Sequence, residues 1–76
     1  MSNFSSAYMA RTMSKSEMAG LYMPELCPRH ARLVLTRWIE RSPGLLDRLA
    51  TTGYTKKQKL FTPAQVGLIM EAIGEP

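Results

Sequence analysis

Arginine and threonine side chains recur at helical spacing between positions 29 and 41. At about 100° per residue, they fall on the outer side of one helix, together with Glu40. They are Arg29, Arg32, Thr36 and Arg37, with His30 and Arg41 at one border. Guanidinium and hydroxyl groups on an exposed helix face can reach phosphates and base edges. The pattern therefore predicts a helix that binds an anion, with double-stranded DNA as the partner.

Three lysines form a second basic element in the polar segment that follows, namely Lys56, Lys57 and Lys59. Residues 27–61 carry eight basic and two acidic side chains, a net charge of +6, whereas the whole chain has +4. If the arginines were considered alone, they could equally be an ordinary solvated helix face with no binding role. The second basic element favours contact with the phosphate backbone instead.

Catalytic and metal-binding patterns are missing from the sequence. His30 has no cysteine or carboxylate pair at ligand spacing, and Cys27 is not part of a nucleophile motif. No carboxylate pair or phosphate-cradling glycine loop occurs either. We expect a surface histidine, a capping or buried cysteine, no enzymatic activity, no metal and no cofactor.

The helix that carries the arginines is predicted over residues 28–41, because proline is tolerated at the first helical position. Its buried stripe is expected to comprise Ala31, Val34, Leu35 and Trp38, flanked by Ile39, with Trp38 at the centre of the core. Leu33 lies within the polar face. An uncovered leucine there indicates a protein interface.

Start and stop signals place three further helices around this one. Residues 1–13 show no sustained period and predict a flexible N-terminal tail. The first helix runs from Lys15 to Met23, with a capping box at Ser14 and Glu17. Its inner face is expected to comprise Met18, Leu21 and Tyr22.

The third helix is predicted from Pro43 to about Thr52, with an apolar side formed by Leu45, Leu46, Leu49 and Ala50. Gly53 is placed to end it in a Schellman arrangement with Tyr54. Residues 54–61 can form a small β-wing. The last helix starts with a second capping box at Thr62 and buries Val66, Ile69, Met70 and Ile73.

These elements predict a single small domain over residues 14–76. Its fold class is all-α or mainly α, with four short helices in a helix-turn-helix-like order and room for the β-wing. A single cysteine cannot form an internal disulfide. No apolar run is long enough for a signal peptide or a membrane span, so we expect a cytoplasmic protein without membrane contact.

Two segments resemble the DNA-binding part of MerR-type regulators and phage excisionases. Residues 14–32, SKSEMAGLYMPELCPRHAR, are similar to their first helix and the start of their recognition helix. Residues 53–74, GYTKKQKLFTPAQVGLIMEAIG, are similar to their wing and the following helix. The resemblance implies a winged helix-turn-helix that binds DNA. The longer turn around Pro24 and the helix at 43–52 depart from that pattern.

A closer resemblance, over nearly all of the chain after Met9, is to a family of short uncharacterised bacterial domains of unknown function. The segments that carry it are EMAGLYMPEL (17–26), RWI (37–39), PGLLDRL (43–49), KLFTPAQV (59–66) and the closing GEP (74–76). The genomic company of that family, with mobile elements and small DNA-binding proteins, implies a link to nucleic acid.

Two functional hypotheses follow. DNA binding would use the helix face and the lysine segment. The alternative is a small interaction module that uses Leu33 to bind a protein partner or to form a homodimer. Their salt responses differ, because phosphate contacts weaken steeply with ionic strength and an apolar interface does not.

Overall fold

Four helices and a two-stranded antiparallel sheet make up the described part of the chain, residues 11–74 and 76, in a computed structural model. In chain order the elements are β1 (Met13–Ser14), α1 (Lys15–Tyr22), α2 (Pro28–Arg41), α3 (Leu45–Ala50), β2 (Leu60–Phe61) and α4 (Pro63–Ile73). The predicted mainly α class, with four short helices and a small β-element, is confirmed. Residues 1–10 of the predicted tail lie outside the described residues.

Local capping signals fix the starts of α1, α2 and α4. Ser14 Oγ accepts a hydrogen bond at 2.9 Å from the amide three residues later. At α4 both halves of the capping box form, because Thr62 Oγ1 accepts from the Gln65 amide and Gln65 Oε1 accepts from the Thr62 amide. Pro28 occupies the first turn of α2, after an exposed Cys27 whose side chain makes no capping bond. These three starts agree with the sequence signals.

Helix α3 is shorter than predicted, since it spans Leu45–Ala50 instead of 43–52. A turn delays its start: the Leu45 amide donates to the Ser42 carbonyl at 3.1 Å, and Gly44 has a φ of 75°. A left-handed residue cannot belong to a right-handed helix, and glycine adopts this conformation without a steric penalty. The helix therefore begins only after Gly44.

The end of α3 follows the predicted Schellman arrangement. Gly53 has a φ of 83°. The Gly53 amide donates to the Ala50 carbonyl at 3.3 Å, and the Tyr54 amide donates to the Leu49 carbonyl at 3.4 Å. The Tyr54 ring then stacks on Phe61, with centroids 6.3 Å apart. This stop turns the chain towards β2.

The hydrophobic core lies between the helices, with α1 packed along α2 and α3 packed against α4. Its buried apolar residues are Met13, Met18, Ala19, Met23, Ala31, Leu35, Ile39, Leu45, Leu49, Phe61, Val66, Ile69 and Met70. Ile73, Tyr22 and Val34 are only partly buried against this cluster. Three other positions predicted as apolar faces are exposed, namely Leu21, Leu46 and Ala50.

The prediction that Trp38 forms the centre of the core is wrong. Its side chain is 38% exposed, whereas Ala31, Leu35 and Ile39 form the buried stripe of α2. These three positions follow each other at intervals of four residues, and their centre lies about 60° around the helix from Trp38. The neighbouring helices cover that stripe. Trp38 lies at its edge and makes an edge-to-face contact with Tyr22, with centroids 5.8 Å apart.

The predicted bounds of the wing and of the tail need correction. One strand of the sheet comes from the predicted wing, and the other begins at the last residue of the predicted tail. Strand β2 does not pair within 54–61 but with β1, in a register that opposes Met13 to Phe61. Both of these side chains are buried. Met13, predicted to belong to the flexible tail, is thus part of the core. Burial of this apolar cross-strand pair explains why the chain pairs here.

Candidate nucleic-acid interface

A basic groove of about 480 Å³ lies between the start of α1, one side of α2 and the loop before β2. Its lining residues are Ser14, Lys15, Ser16, Arg32, Lys57, Gln58, Lys59 and Leu60. Four of them are cations and none is acidic. The groove is therefore a concave surface with one sign of charge, which concentrates anions.

Strand pairing joins the loop to α1. The Lys15 amide donates to the Lys59 carbonyl at 2.9 Å and extends the β1–β2 hydrogen-bond pattern by one residue. The Lys15 ammonium donates to the Lys56 carbonyl at 3.2 Å. Two bonds thus hold the lysine loop next to the first turn of α1, although 41 positions separate Lys15 from Lys56.

Arg32 brings α2 into the same surface. Its Nη1 donates to Ser16 Oγ at 2.9 Å. A second depression of about 350 Å³ continues along α2 and is lined by Lys15, Arg29, Arg32, Leu33 and Thr36. Lys15 and Arg32 line both hollows, so the face of α2 and the basic groove form one continuous surface.

A buried glutamine holds the loop in place. Gln65 is only 2% exposed, and its Nε2 donates to Thr52 Oγ1 at 2.9 Å. Its Oε1 accepts from Gln58 Nε2 at 2.7 Å. Gln58 in turn binds both ends of the loop, since its Oε1 accepts from the Thr55 amide at 2.8 Å and its Nε2 donates to the Leu60 carbonyl at 2.6 Å. The lysines therefore project from a loop with a defined conformation.

The cations of the surface repel one another. The pKa of Lys15 is lowered from its ordinary value of 10.5, first by burial and then by the charges of Arg32 and Lys56. The Glu40 carboxylate opposes this shift. Glu40 forms an ion pair with Lys56 at 3.0 Å. Burial and Glu40 also raise the pKa of Tyr54, against the effect of Lys56.

The structure brings most of the predicted site residues together. Arg32, Lys57 and Lys59 line the basic groove, and Arg29, Leu33 and Thr36 line its continuation. The Thr36 hydroxyl donates to the carbonyl of Arg32 at 2.9 Å. Lys56 lies beside the groove, paired with Glu40.

Besides Lys56, three predicted residues do not line either hollow. His30 and Arg37 are exposed on α2 outside both of them. Arg41 instead borders a separate depression with Trp38, Ser42, Pro43 and Ile73. The basic surface of α2 thus extends beyond the groove, and only part of it faces the lysine loop.

Sequence reasoning missed Lys15, Ser14 and Ser16 as members of this surface. The capping pattern at Ser14 located the start of α1 but carried no information about its neighbours. The position of Lys15 depends on pairing between residues 13–14 and 60–61, which are too short to produce a period-two signal.

Among residues 11–74 and 76, no three His, Cys, Asp or Glu side chains are grouped to hold a metal ion. No helix of this part is long and apolar enough to cross a membrane.

Comparison with known proteins bears on the family of the chain. No curated protein and no solved structure matches the chain. The family model described as "Domain of unknown function (DUF4248)" matches residues 9–76. The chain therefore belongs to this family of domains of unknown function, as its sequence resemblance predicted.

Proposed function

We propose that this protein binds double-stranded DNA, with the basic groove against the sugar–phosphate backbone and the outer face of α2 towards the base edges. One observation carries the proposal: cations from three separate segments converge on one concave surface. Lys15 comes from α1, Arg32 from α2, and Lys57 and Lys59 from the loop before β2. A lone basic helix would be explained by solvation, but cations held against their mutual repulsion suit a polyanion.

The order of elements supports a winged helix-turn-helix variant. Helices α1 and α2 follow each other and pack together, and the lysine loop lies beside α2 as a wing would. The strand partner of this wing is β1 instead of a second strand of a hairpin. In this proposal Arg29, Thr36 and Arg37 face base edges, and His30 and Arg41 lie at the far border of the contact.

The experiment compares two variants with the same loss of charge. Lys57→Gln/Lys59→Gln removes two cations from the groove, and Arg11→Gln/Arg48→Gln removes two that line neither hollow and lie outside the proposed contact. Fluorescence anisotropy with a random-sequence duplex should show about tenfold or greater weakening for the groove variant near 0.1 M salt, and much less for the control. Equal affinities of the two variants would contradict the proposed surface.

A second candidate function is a protein-interaction module. Leu33 is 57% exposed and Leu60 is 58% exposed, and both border the basic surface. Two leucines among cations also suit an amphipathic acidic segment of another protein. Light scattering after size-exclusion chromatography tests the homodimer form of this idea: a dimer that Leu33→Asp converts to a monomer supports the module, and a monomeric wild type contradicts that form.

A further inference from the structure

The lining of the basic groove comes from α1 and the lysine loop as well as from α2. Ser16 Oγ is already bound by Arg32, and Lys15 is tied to the loop through the Lys56 carbonyl. Each of the two cations has donors left, because an ammonium carries three N–H groups and a guanidinium carries five. Lys57 and Lys59 complete the rim.

We propose that this groove is a phosphate subsite in which Lys15 and Arg32 bind the phosphate oxygens directly and Lys57 and Lys59 neutralise its charge. A tetrahedral anion with several acceptor oxygens matches N–H donors that converge from two helices. The inference rests on the proposed function only for the source of the phosphate, which is a DNA backbone. The binding of phosphate itself depends only on the residues of the groove.

Charge balance explains why the site needs an anion. Glu40 is the carboxylate that acts on Lys15, and it is engaged by Lys56. Lys15 and Arg32 line one groove that has no acidic lining residue, and this proximity is unfavourable until a counter-charge arrives. A bound phosphate would relieve this repulsion.

Local backbone geometry adds to the attraction. The groove lies at the start of α1, where the Lys15 amide donates to the Lys59 carbonyl and the Glu17 amide donates to Ser14 Oγ, and the helix dipole adds partial positive charge. The Ser16 amide belongs to this turn. Ser14 and Ser16 add hydroxyl groups to the lining. The subsite thus combines charged donors with neutral ones.

Lys15 is the residue that tests the inference, because it lies outside the arginine pattern of α2. Lys15→Gln removes the central charge, Lys15→Arg keeps it, and Arg48→Gln removes one charge away from the groove and from the proposed contact. Binding to a random-sequence duplex is measured by fluorescence anisotropy at several salt concentrations. We expect Lys15→Gln to weaken binding about tenfold and to reduce the salt slope by about one phosphate contact. Lys15→Arg should retain the slope, and Arg48→Gln should retain both affinity and slope.

A second arm uses inorganic phosphate with the isotope-labelled wild type and Lys15→Gln proteins. Saturable shifts of the amide signals of residues 14–16 and 57–60, lost in the variant, are expected. If the duplex binds and Lys15→Gln behaves like Arg48→Gln, the subsite is wrong although DNA binding stands. If no duplex binds but phosphate gives these shifts, the subsite stands and its ligand is a free phosphate group. Absence of both responses overturns the inference and the proposed function together.

Discussion

Gln65 Oε1 accepts a hydrogen bond from Gln58 Nε2 at 2.7 Å, and this contact joins the buried start of α4 to the lysine loop. The same oxygen accepts a hydrogen bond from the Thr62 backbone amide, and Gln65 Nε2 donates one to Thr52 Oγ1. One buried side chain thus connects the end of α3, the loop and the start of α4. The shape of the basic groove depends on this connection, since Gln58 itself lines the groove.

We expect Gln65→Met to destabilise the fold by about 2 kcal/mol, because it keeps the volume but removes the hydrogen bonds to the part-buried Gln58 and Thr52 side chains. Urea denaturation measures the loss. Hydrogen exchange at residues 55–60 should also accelerate. Lys57→Met, an exposed change in the same loop, is the control and should have little effect on the urea midpoint. A Gln65→Met midpoint equal to that of the control would show that the network does not stabilise the loop.

Trp38 and Leu35 provide a test of the faces of α2. Leu35→Ala should cost about 2 to 5 kcal/mol, because Leu35 is fully buried. Trp38→Ala should cost less, about 1 to 2 kcal/mol, since it mainly loses an edge contact with Tyr22. Thermal or urea unfolding of both variants gives the comparison. A larger loss for Trp38→Ala would place the tryptophan in the core after all.

The two caps differ in completeness and give a graded prediction. Ser14→Ala and Thr62→Ala should each lower the free energy of unfolding by about 1 kcal/mol. The Thr62 change should be the larger, because its helix has both halves of the capping box. At α1 the Glu17 carboxylate instead pairs with Arg11. Urea midpoints that do not move for either variant would contradict the two helix starts.

The pKa shift of Tyr54 predicts a loss of stability in alkaline solution. Burial raises the pKa of Tyr54 above its ordinary value of 10.0, so the unfolded chain loses the phenolic proton first. Stability is therefore intact below this value and falls as the pH rises through the folded-state pKa. The lowered pKa of Lys15 has the opposite sign, and its contribution grows as the pH approaches 10.5.

Tyr54→Phe removes the titration of Tyr54 and leaves that of Lys15. Between about pH 9 and 11, the free energy of unfolding of Tyr54→Phe should fall less than that of the wild type. Urea denaturation at a series of pH values measures both, with each protein at pH 7 as its own reference. Parallel pH profiles of the two proteins would show that burial does not raise the pKa of Tyr54.

Signals contained within one turn of the chain predicted the starts of α1, α2 and α4 and the end of α3. Ser14 and Thr62 accept hydrogen bonds from amides three residues later, Pro28 has its φ fixed at the first helical position, and Gly53 adopts a positive φ. Such effects can be read without knowledge of the tertiary structure. The four helices and much of the basic surface of α2 were accordingly predictable.

Features that depend on packing between distant segments were not predictable in this way. The apolar sector of α2 includes both Trp38 and Ile39, and only the placement of the neighbouring helices decides which one is covered. The pairing of Met13 with Phe61 likewise joins positions nearly 50 residues apart. Because this pairing positions Lys15, the missed groove residue follows directly from the missed strand.

The salt dependence of duplex binding tests the central claim most directly. Wild-type protein is titrated into a labelled random-sequence duplex, and anisotropy is recorded from about 50 to 200 mM salt. Contacts from Lys15, Arg32, Lys57 and Lys59 predict that the logarithm of the binding constant falls linearly with the logarithm of salt, with a slope of about −3 to −4. The contradicting result is no binding at the lowest salt, or binding whose strength does not change with salt.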